Sequence, residues 1–247
     1  MSPTSSGSDR IWTRNAGVEL SRVRNKKVDW PACFRLIPSR FPPVQLYEGV
    51  SAPQDWEAVK RIEELTNPRL RRGALLPEDE GKVDQSWLVA PFAYPDPEPS
   101  AFSDGSFGYS IVAESLHSAL LLAISRREIF LRRTAEAPTR LVMRVIKVPL
   151  KATLQDLTHL DLEDPSLKGL IADLRATKSH GVLVRGPRGK DDPLAVVLRP
   201  TAFVQPASQT EHYCFLWNGE RIHQLFLLPA ETKVMVPEDL MRSVTAA

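Results

Sequence analysis

Long apolar runs are missing from this chain. No stretch of its 247 residues approaches the roughly 18 consecutive apolar side chains that a membrane-spanning helix needs. Cysteine is scarce: Cys33 and Cys214 lie far apart and neither has a CxxC partner, so the sequence suggests neither a disulfide framework nor a zinc site. Two buried thiols in a reducing cytoplasm are the simplest expectation. Charge of one sign is also lacking. With 32 basic and 30 acidic residues the net charge is only +2, too little for electrostatics alone to make the whole chain a nucleic-acid binder. The first ten residues, MSPTSSGSDR, have no apolar core of the kind a signal peptide carries, and they read as a disordered tail. No internal repeat is visible.

What is present fits an ordinary globular protein. Hydrophobic residues make up 43% and charged residues 25%, and the length suits one large domain or two small ones with a substantial core. Proline is abundant at 21, which favours many short connections and interrupted elements.

The chain is organised around 99–131, PSAFSDGSFGYSIVAESLHSALLLAISRREIFL. Ser, Gly and Asp crowd 100–108 and favour turns with exposed backbone N–H groups. A short apolar run at 109–113 predicts a buried strand. Ser115 is placed to cap a helix in which Leu116, Ala119, Leu120, Ala123, Ile124 and Leu131 recur at helical spacing. Arg126, Arg127, Arg132 and Arg133 gather toward its end, where cations suit the dipole. Loop, strand and helix N-terminus together make a place where a phosphate could rest, although a core strand and a core helix joined by surface turns would look the same.

Residues 1–29 read as a weakly ordered basic arm with Arg22, Arg24, Lys26 and Lys27 solvated. Order is expected from Trp30. The run 33–37 predicts a strand in which Arg35 is either ion-paired or aimed into a polar cleft. A proline-bound loop follows at 38–43, then a helix over 51–65 ended by Asn67-Pro68. Residues 87–90 resemble a strand, 141–148 are β-rich despite Arg144 and Lys147, 157–164 look acidic and irregular, and 166–177 form an amphipathic helix. A strand at 181–184, a charged loop at 185–193 and a strand at 194–198 suggest one hairpin. Asn218-Gly219 marks another between 213–217 and 221–228. Residues 229–247 read as a weakly patterned tail. The sum is a single α+β domain of short, partly antiparallel strands with packed helices.

The order of certain segments resembles the RES-domain family in its longer members, toxins of bacterial toxin–antitoxin pairs. They are FRLIPSRFPP (34–43), LTNPRLR (65–71), SWLVAPFAYPDPEPSAFSDGSFG (86–108), ESLHSALLLAISRREIFL (114–131), TRLVMRV (139–145), LRATKSHGVLVRGPRG (174–189) and LWNGERI (216–222). The similarity spans nearly all of 30–228. It implies a fold related to the ADP-ribosyltransferases and an activity on NAD, by hydrolysis, phosphorolysis or transfer of ADP-ribose to a protein. Such chemistry uses a cation on the pyrophosphate, an aromatic beside the nicotinamide, and a carboxylate that stabilises the oxocarbenium-like ribose.

Position by position, the resemblance implies that Arg35 keeps the first family arginine. The second arginine is Ala101 here, the aromatic falls at Ile111 with Tyr109 two residues before it, the glutamate is Leu122, and the serine is Gly186 with Val184 at its aromatic neighbour. Arg188 survives. Glu114, His117 and Glu128 are the nearby polar residues. Glu128 is expected to pair with an arginine and His117 to stand exposed on the helix, and neither they nor Glu114 replaces the glutamate. The implied catalytic residues are therefore Arg35 and Tyr109, and the implied substrate-binding residues are Arg40, Tyr47, Ser103, Asp104, Gly105 and Arg188. NAD is implied as substrate or ligand rather than as a resident cofactor, and an Xre-like antitoxin as partner, with a homodimer left open. Two functions compete: a cytoplasmic NAD-consuming toxin with an altered pocket, and a catalytically inactive scaffold that binds a nucleotide, an antitoxin or a paralogue.

Overall fold

Alternation along the strands places two apolar layers on opposite faces of one sheet. A computed structural model describes residues 23–39, 86–160, 166–228 and 234–235, with isolated positions at 55, 58 and 62. Its strands are β1 (Arg24–Pro38), β2 (Ser110–Ala113), β3 (Thr139–Asp156), β4 (Gly181–Gly186), β5 (Gly189–Val197), β6 (Ser208–Trp217), β7 (Ile222–Leu228) and β8 (Val234–Met235). The helices are α1 (Ser86–Ala93), α2 (Leu116–Arg133) and α3 (Ser166–Ala176), with a single 3₁₀ turn at Pro200–Ala202. The described residues thus form one mixed α+β domain, and no helix among them is long and apolar enough to cross a membrane.

The sheet order is β1-β2-β5-β4-β3-β6-β7-β8, and β1 also pairs with β3. That second pairing closes five strands into a ring. Antiparallel β1 and β3 run together from Arg24↔Asp156 to Pro38↔Met143, a single pair at Phe34↔Ala113 joins β1 to β2, and the end of β3 meets β4 in parallel at Gln155↔Val182. β6, β7 and β8 extend the sheet from the first half of β3.

Every strand of the ring divides its side chains by the period of two. Val28, Trp30 and Cys33 of β1 join Val112, Ile146, Val148, Leu150, Leu154, Leu183, Ala195 and Val197 in one buried cluster on the inner face. Their alternates Leu36, Ile111, Ala113, Met143, Val145, Val182, Val184, Leu194 and Val196 face outward, under α2 and α3 and beside Phe215 and Trp217 of β6. Strands buried on both faces read as unbroken apolar runs, which is how 181–184 and 194–198 look in the sequence.

α2 matches its expectation closely. Ser115 caps it, its hydroxyl accepting from Ser118 N at 3.1 Å, and Arg132 and Arg133 close its last turn. The Asn218-Gly219 hairpin is present, with Asn218 Oδ1 accepting from Glu220 N and Arg221 N. The amphipathic helix expected at 166–177 is α3.

Three expectations are corrected. Residues 87–90 belong to helix α1, not to a strand: Leu88 and Phe92 stand four apart and both bury against the inner cluster, a helical spacing hidden by Pro91 between them. The arm does not end at residue 29, since Arg24–Asp29 are already strand. Polar side chains there suit an exposed ladder, with Asp29 directly opposite Lys151 at 3.0 Å and Asn25 Oδ1 accepting from Gln155 Nε2 at 3.1 Å. The tail after Pro229 contributes β8, which pairs with β7 at Leu225↔Met235. The helix expected at 51–65 falls largely outside the described residues.

Both thiols are buried, Cys33 at 0% exposure on the inner face and Cys214 at 4% on β6. Burial pushes both above the ordinary thiol value of 9.0, with the charge of Arg140 partly offsetting this at Cys214. An aromatic disulfide reagent at pH 8 should therefore label neither cysteine in the folded chain and both in denaturant; fast labelling of Cys33 without denaturant would contradict the closed ring.

Candidate functional site

Arg35 takes its place from the alternation of β1. Phe34 and Leu36 point to the outer layer, while Cys33, Arg35 and Ile37 share the inner face. Directly across the ladder, Ile146 opposes Arg35 and Arg144 opposes Ile37. On β2, Ser110 shares the face of Val112. Toward this end the next inner-facing residues after Cys33, Val112 and Ile146 are Arg35, Ser110 and Arg144, with Ile37 beyond Arg35 still packed against the inner cluster.

Arg35 Nη1 donates to Ser110 Oγ at 3.4 Å. Burial of the guanidinium, with the positive charges of Arg126 and Arg127 on α2 nearby, pulls Arg35 from 12.5 down to about 10. Arg144 is only 3% exposed. Its Nη1 donates to Gln209 Oε1 at 3.4 Å, and burial lowers it as well. Among the described residues no carboxylate pairs with either arginine; the ion pairs found there involve Arg132, Arg133, Lys151 and Arg188. Desolvated cations without a counter-charge are costly to a fold and favour the approach of an anion.

The serine-rich loop is less open to ligands than its composition suggests. Ser100 Oγ accepts from Phe102 N and Ser103 N, both at 3.1 Å, and from the Tyr109 hydroxyl at 2.9 Å. Buried Ser103 donates to Phe107 O at 2.8 Å and accepts from Gly105 N at 3.1 Å. Gly105 adopts φ +89°, a conformation only glycine takes without strain, and lies against the Pro97 carbonyl. Asp104 is exposed and caps Ser106 N at 2.7 Å. The N–H groups expected to cradle phosphate thus include three that bind serine hydroxyls of the loop itself. Tyr109 packs edge-on to Phe102, ring centroids 5.6 Å apart, on the outer side of the sheet from Arg35. Arg40 and Tyr47 lie outside the described residues.

A second polar group sits beyond the other end of β2, where the hairpin of β4 and β5 meets the start of α2. Ser118, fully buried, donates to Asp192 Oδ2 and accepts from Ser115 Oγ at 2.9 Å. Arg188 Nε lies 3.4 Å from the same Asp192 oxygen, and its Nη1 is 3.5 Å from His117 Nδ1. His117 is half-buried rather than exposed, and its Nε2 is enclosed without a partner among the described residues. Among the described residues no hydrogen bond or ion pair connects this group with Arg35. Ser110 and Ala113, at opposite ends of β2, are about 10 Å apart at strand rise. Arg35 and Arg188 therefore belong to different clusters.

The residues at the other resembled motif positions are equally definite in place. Leu122 packs against the outer core, Ile111 is part of it, and Ala101 lies at its edge. Glu128 pairs with Arg132 at 2.7 Å, as expected, and its other oxygen accepts from Ile222 N at 2.7 Å. Gly186 pairs with Gly189, and a Cβ there would collide with the Asp192 carbonyl. Sequence reasoning passed over Arg144, Ser110 and Asp192. The signal for Arg144 was present: a charge breaking an otherwise apolar strand, in phase with Ile146 and Val148.

These features define an α+β protein with a ring-closed mixed sheet that ends, at one rim, in arginine and serine side chains. The chain belongs to the family of a protein of Sinorhizobium fredii (strain NBRC 101917 / NGR234) named Uncharacterized protein y4oC, to which it is 37% identical over 216 residues, 84% of this chain and 92% of that one. No family model matches the chain.

Gly186→Ser should destabilise the fold by about 1–3 kcal/mol through overpacking of the hairpin, because a Cβ there meets the Asp192 carbonyl. Thermal denaturation checks this; an unchanged melting temperature would show that the hairpin can yield.

Proposed function

We propose that this chain is a RES-type protein of a toxin–antitoxin lineage, related in fold to the ADP-ribosyltransferases. On this reading it retains the anion-holding part of an NAD pocket and is impaired in catalysis. The observation that carries the reading is Arg35: a desolvated guanidinium beside the Ser110 hydroxyl, with no carboxylate partner among the described residues, at the position where the resembled family holds pyrophosphate. The impairment follows from what stands at the other positions. Leu122 cannot stabilise a ribosyl cation, Ala101 cannot grip phosphate, and Gly186 has no room for a hydroxymethyl group.

Those same residues favour a second reading, a regulatory scaffold that binds a nucleotide, an antitoxin or a paralogue without turnover. A small helical antitoxin of the Xre-like class is the expected partner on either reading.

The deciding experiment measures NAD binding by calorimetry and NAD consumption by the purified protein, with Arg35→Ala as control and growth scored on induction. Binding that Arg35→Ala weakens at least tenfold, with no turnover and no growth arrest, supports the inactive binder. Turnover abolished by Arg35→Ala establishes an enzyme with a carboxylate from elsewhere. Absence of NAD binding overturns the proposal.

A further inference from the structure

Arg144 stands diagonal to Arg35 across the β1–β3 ladder, and the two heads part. Arg35 reaches Ser110 on β2, whereas Arg144 Nη1 donates to Gln209 Oε1 on β6 at 3.4 Å. A bulge makes the second contact available. Between Arg144↔His212 and Ile146↔Gln209 the β3–β6 register shifts, so two steps along β3 match three along β6. Residues three apart in a regular strand point to opposite faces. The extra residue instead brings Gln209 and His212 to the Arg144 face, where Gln209 Nε2 and His212 Nε2 lie 3.2 Å apart. Bulges re-aim side chains in this way and recur beside functional sites.

The bonds assign the donors. Because Gln209 Oε1 accepts from Arg144, its amide nitrogen faces His212 and donates to the ring, which is neutral in that state. Arg144 is buried, its Nε is enclosed without a partner, and Nη1 makes its one hydrogen bond among the described residues. The open edge of the guanidinium is therefore Nε with Nη2, the side-on fork that meets the two oxygens of one carboxylate. Glu211 does not fill it. It is in phase with Tyr213 on the outer face, where burial and then the Glu211 charge push the Tyr213 hydroxyl up. Ile37, directly across β1, and Ile146, next in phase on β3, both pack on the inner cluster and give the fork an apolar wall. Gln209 is exposed and His212 half-buried, which leaves the approach on the β6 side.

We infer that Arg144, Gln209 and His212 form a binding site for the carboxylate of a small organic acid, entered from the β6 side and separate from the Arg35 rim. One cation with two neutral neighbours balances a single negative charge, whereas a phosphate dianion would be left half compensated. The isoleucine wall suits a short alkyl stem on the acid. The site binds its ligand and makes or breaks no bond in it. It stands independently of the Arg35 reading.

Titration of the full-length chain with butyrate, followed by calorimetry and by the His212 ring signals in NMR, tests the site, with inorganic phosphate as the competing anion. Butyrate should bind saturably and move the His212 signals, and Arg144→Met should weaken binding at least tenfold. Gln209→Glu changes an exposed position, so it keeps the test open should Arg144→Met not fold, and it supplies a carboxylate from within. It should raise the melting temperature and weaken butyrate binding at least tenfold, a loss that a merely structural arginine would not give. Absence of saturable butyrate binding to the wild-type chain overturns the site, and so does unchanged affinity in either folded variant. Phosphate that binds more tightly than butyrate at His212 overturns the carboxylate assignment.

Discussion

β1 is held on both edges at once, and the rest of the architecture depends on that. Its long ladder with β3 and its single bridge to β2 close the ring, so the inner face must be filled from five strands at the same time. Val28, Trp30, Cys33, Leu150, Leu183 and Ala195 fill it with side chains that need no hydrogen-bond partners. α1 and the 3₁₀ turn add Leu88, Phe92 and Ala202 to the same layer. Closure at that single bridge confines whatever inner-facing side chain comes next along each strand.

The polar rim follows from that confinement. After Cys33 on β1 and Ile146 on β3, the next side chains in phase toward this end are Arg35 and Arg144, with Ile37 packed beside them. They are desolvated by the same packing that stabilises the sheet. A cation held this way favours a partner of opposite charge, and the described residues supply hydroxyls and an amide instead of a carboxylate. At the far end of β2 the balance is different. Asp192 is shared by Ser118 and Arg188 and ties the β4–β5 hairpin to the start of α2, so the charges there are largely internal. Among the described residues, Arg35 and Arg144 at the other end have no carboxylate partner.

Much of the fold was legible in the sequence, for reasons specific to each element. α2 carries its cap, its helical period and its terminal arginines in one continuous stretch, so local rules suffice. The Asn-Gly hairpin likewise contains its own instruction. α1 was misread because an apolar run of four residues fits strand and helix alike, and the Leu88/Phe92 spacing becomes meaningful only once a surface exists for both to cover. Arg24–Lys27 and Asp29 look solvated because they are solvated, and only Val28 among these six residues turns inward; their strand character comes from pairing with β3. In the site, Arg35 was found from its motif, whereas Arg144, more than a hundred residues later, gives no local sign of standing on the same diagonal.

By itself the sequence determined which residues alternate, the cap and terminal arginines of α2, and that Ala101, Leu122 and Gly186 stand where the family it resembles has an arginine, a carboxylate and a serine. These are properties of covalent order and of neighbours within a few residues. Only the tertiary structure decided that β1 closes a ring, that the serine-rich loop uses its own N–H groups, and that Arg35 lies near Arg144 rather than Arg188. Those outcomes depend on ladder register between distant segments, where a shift of one residue would send every side chain to the opposite face.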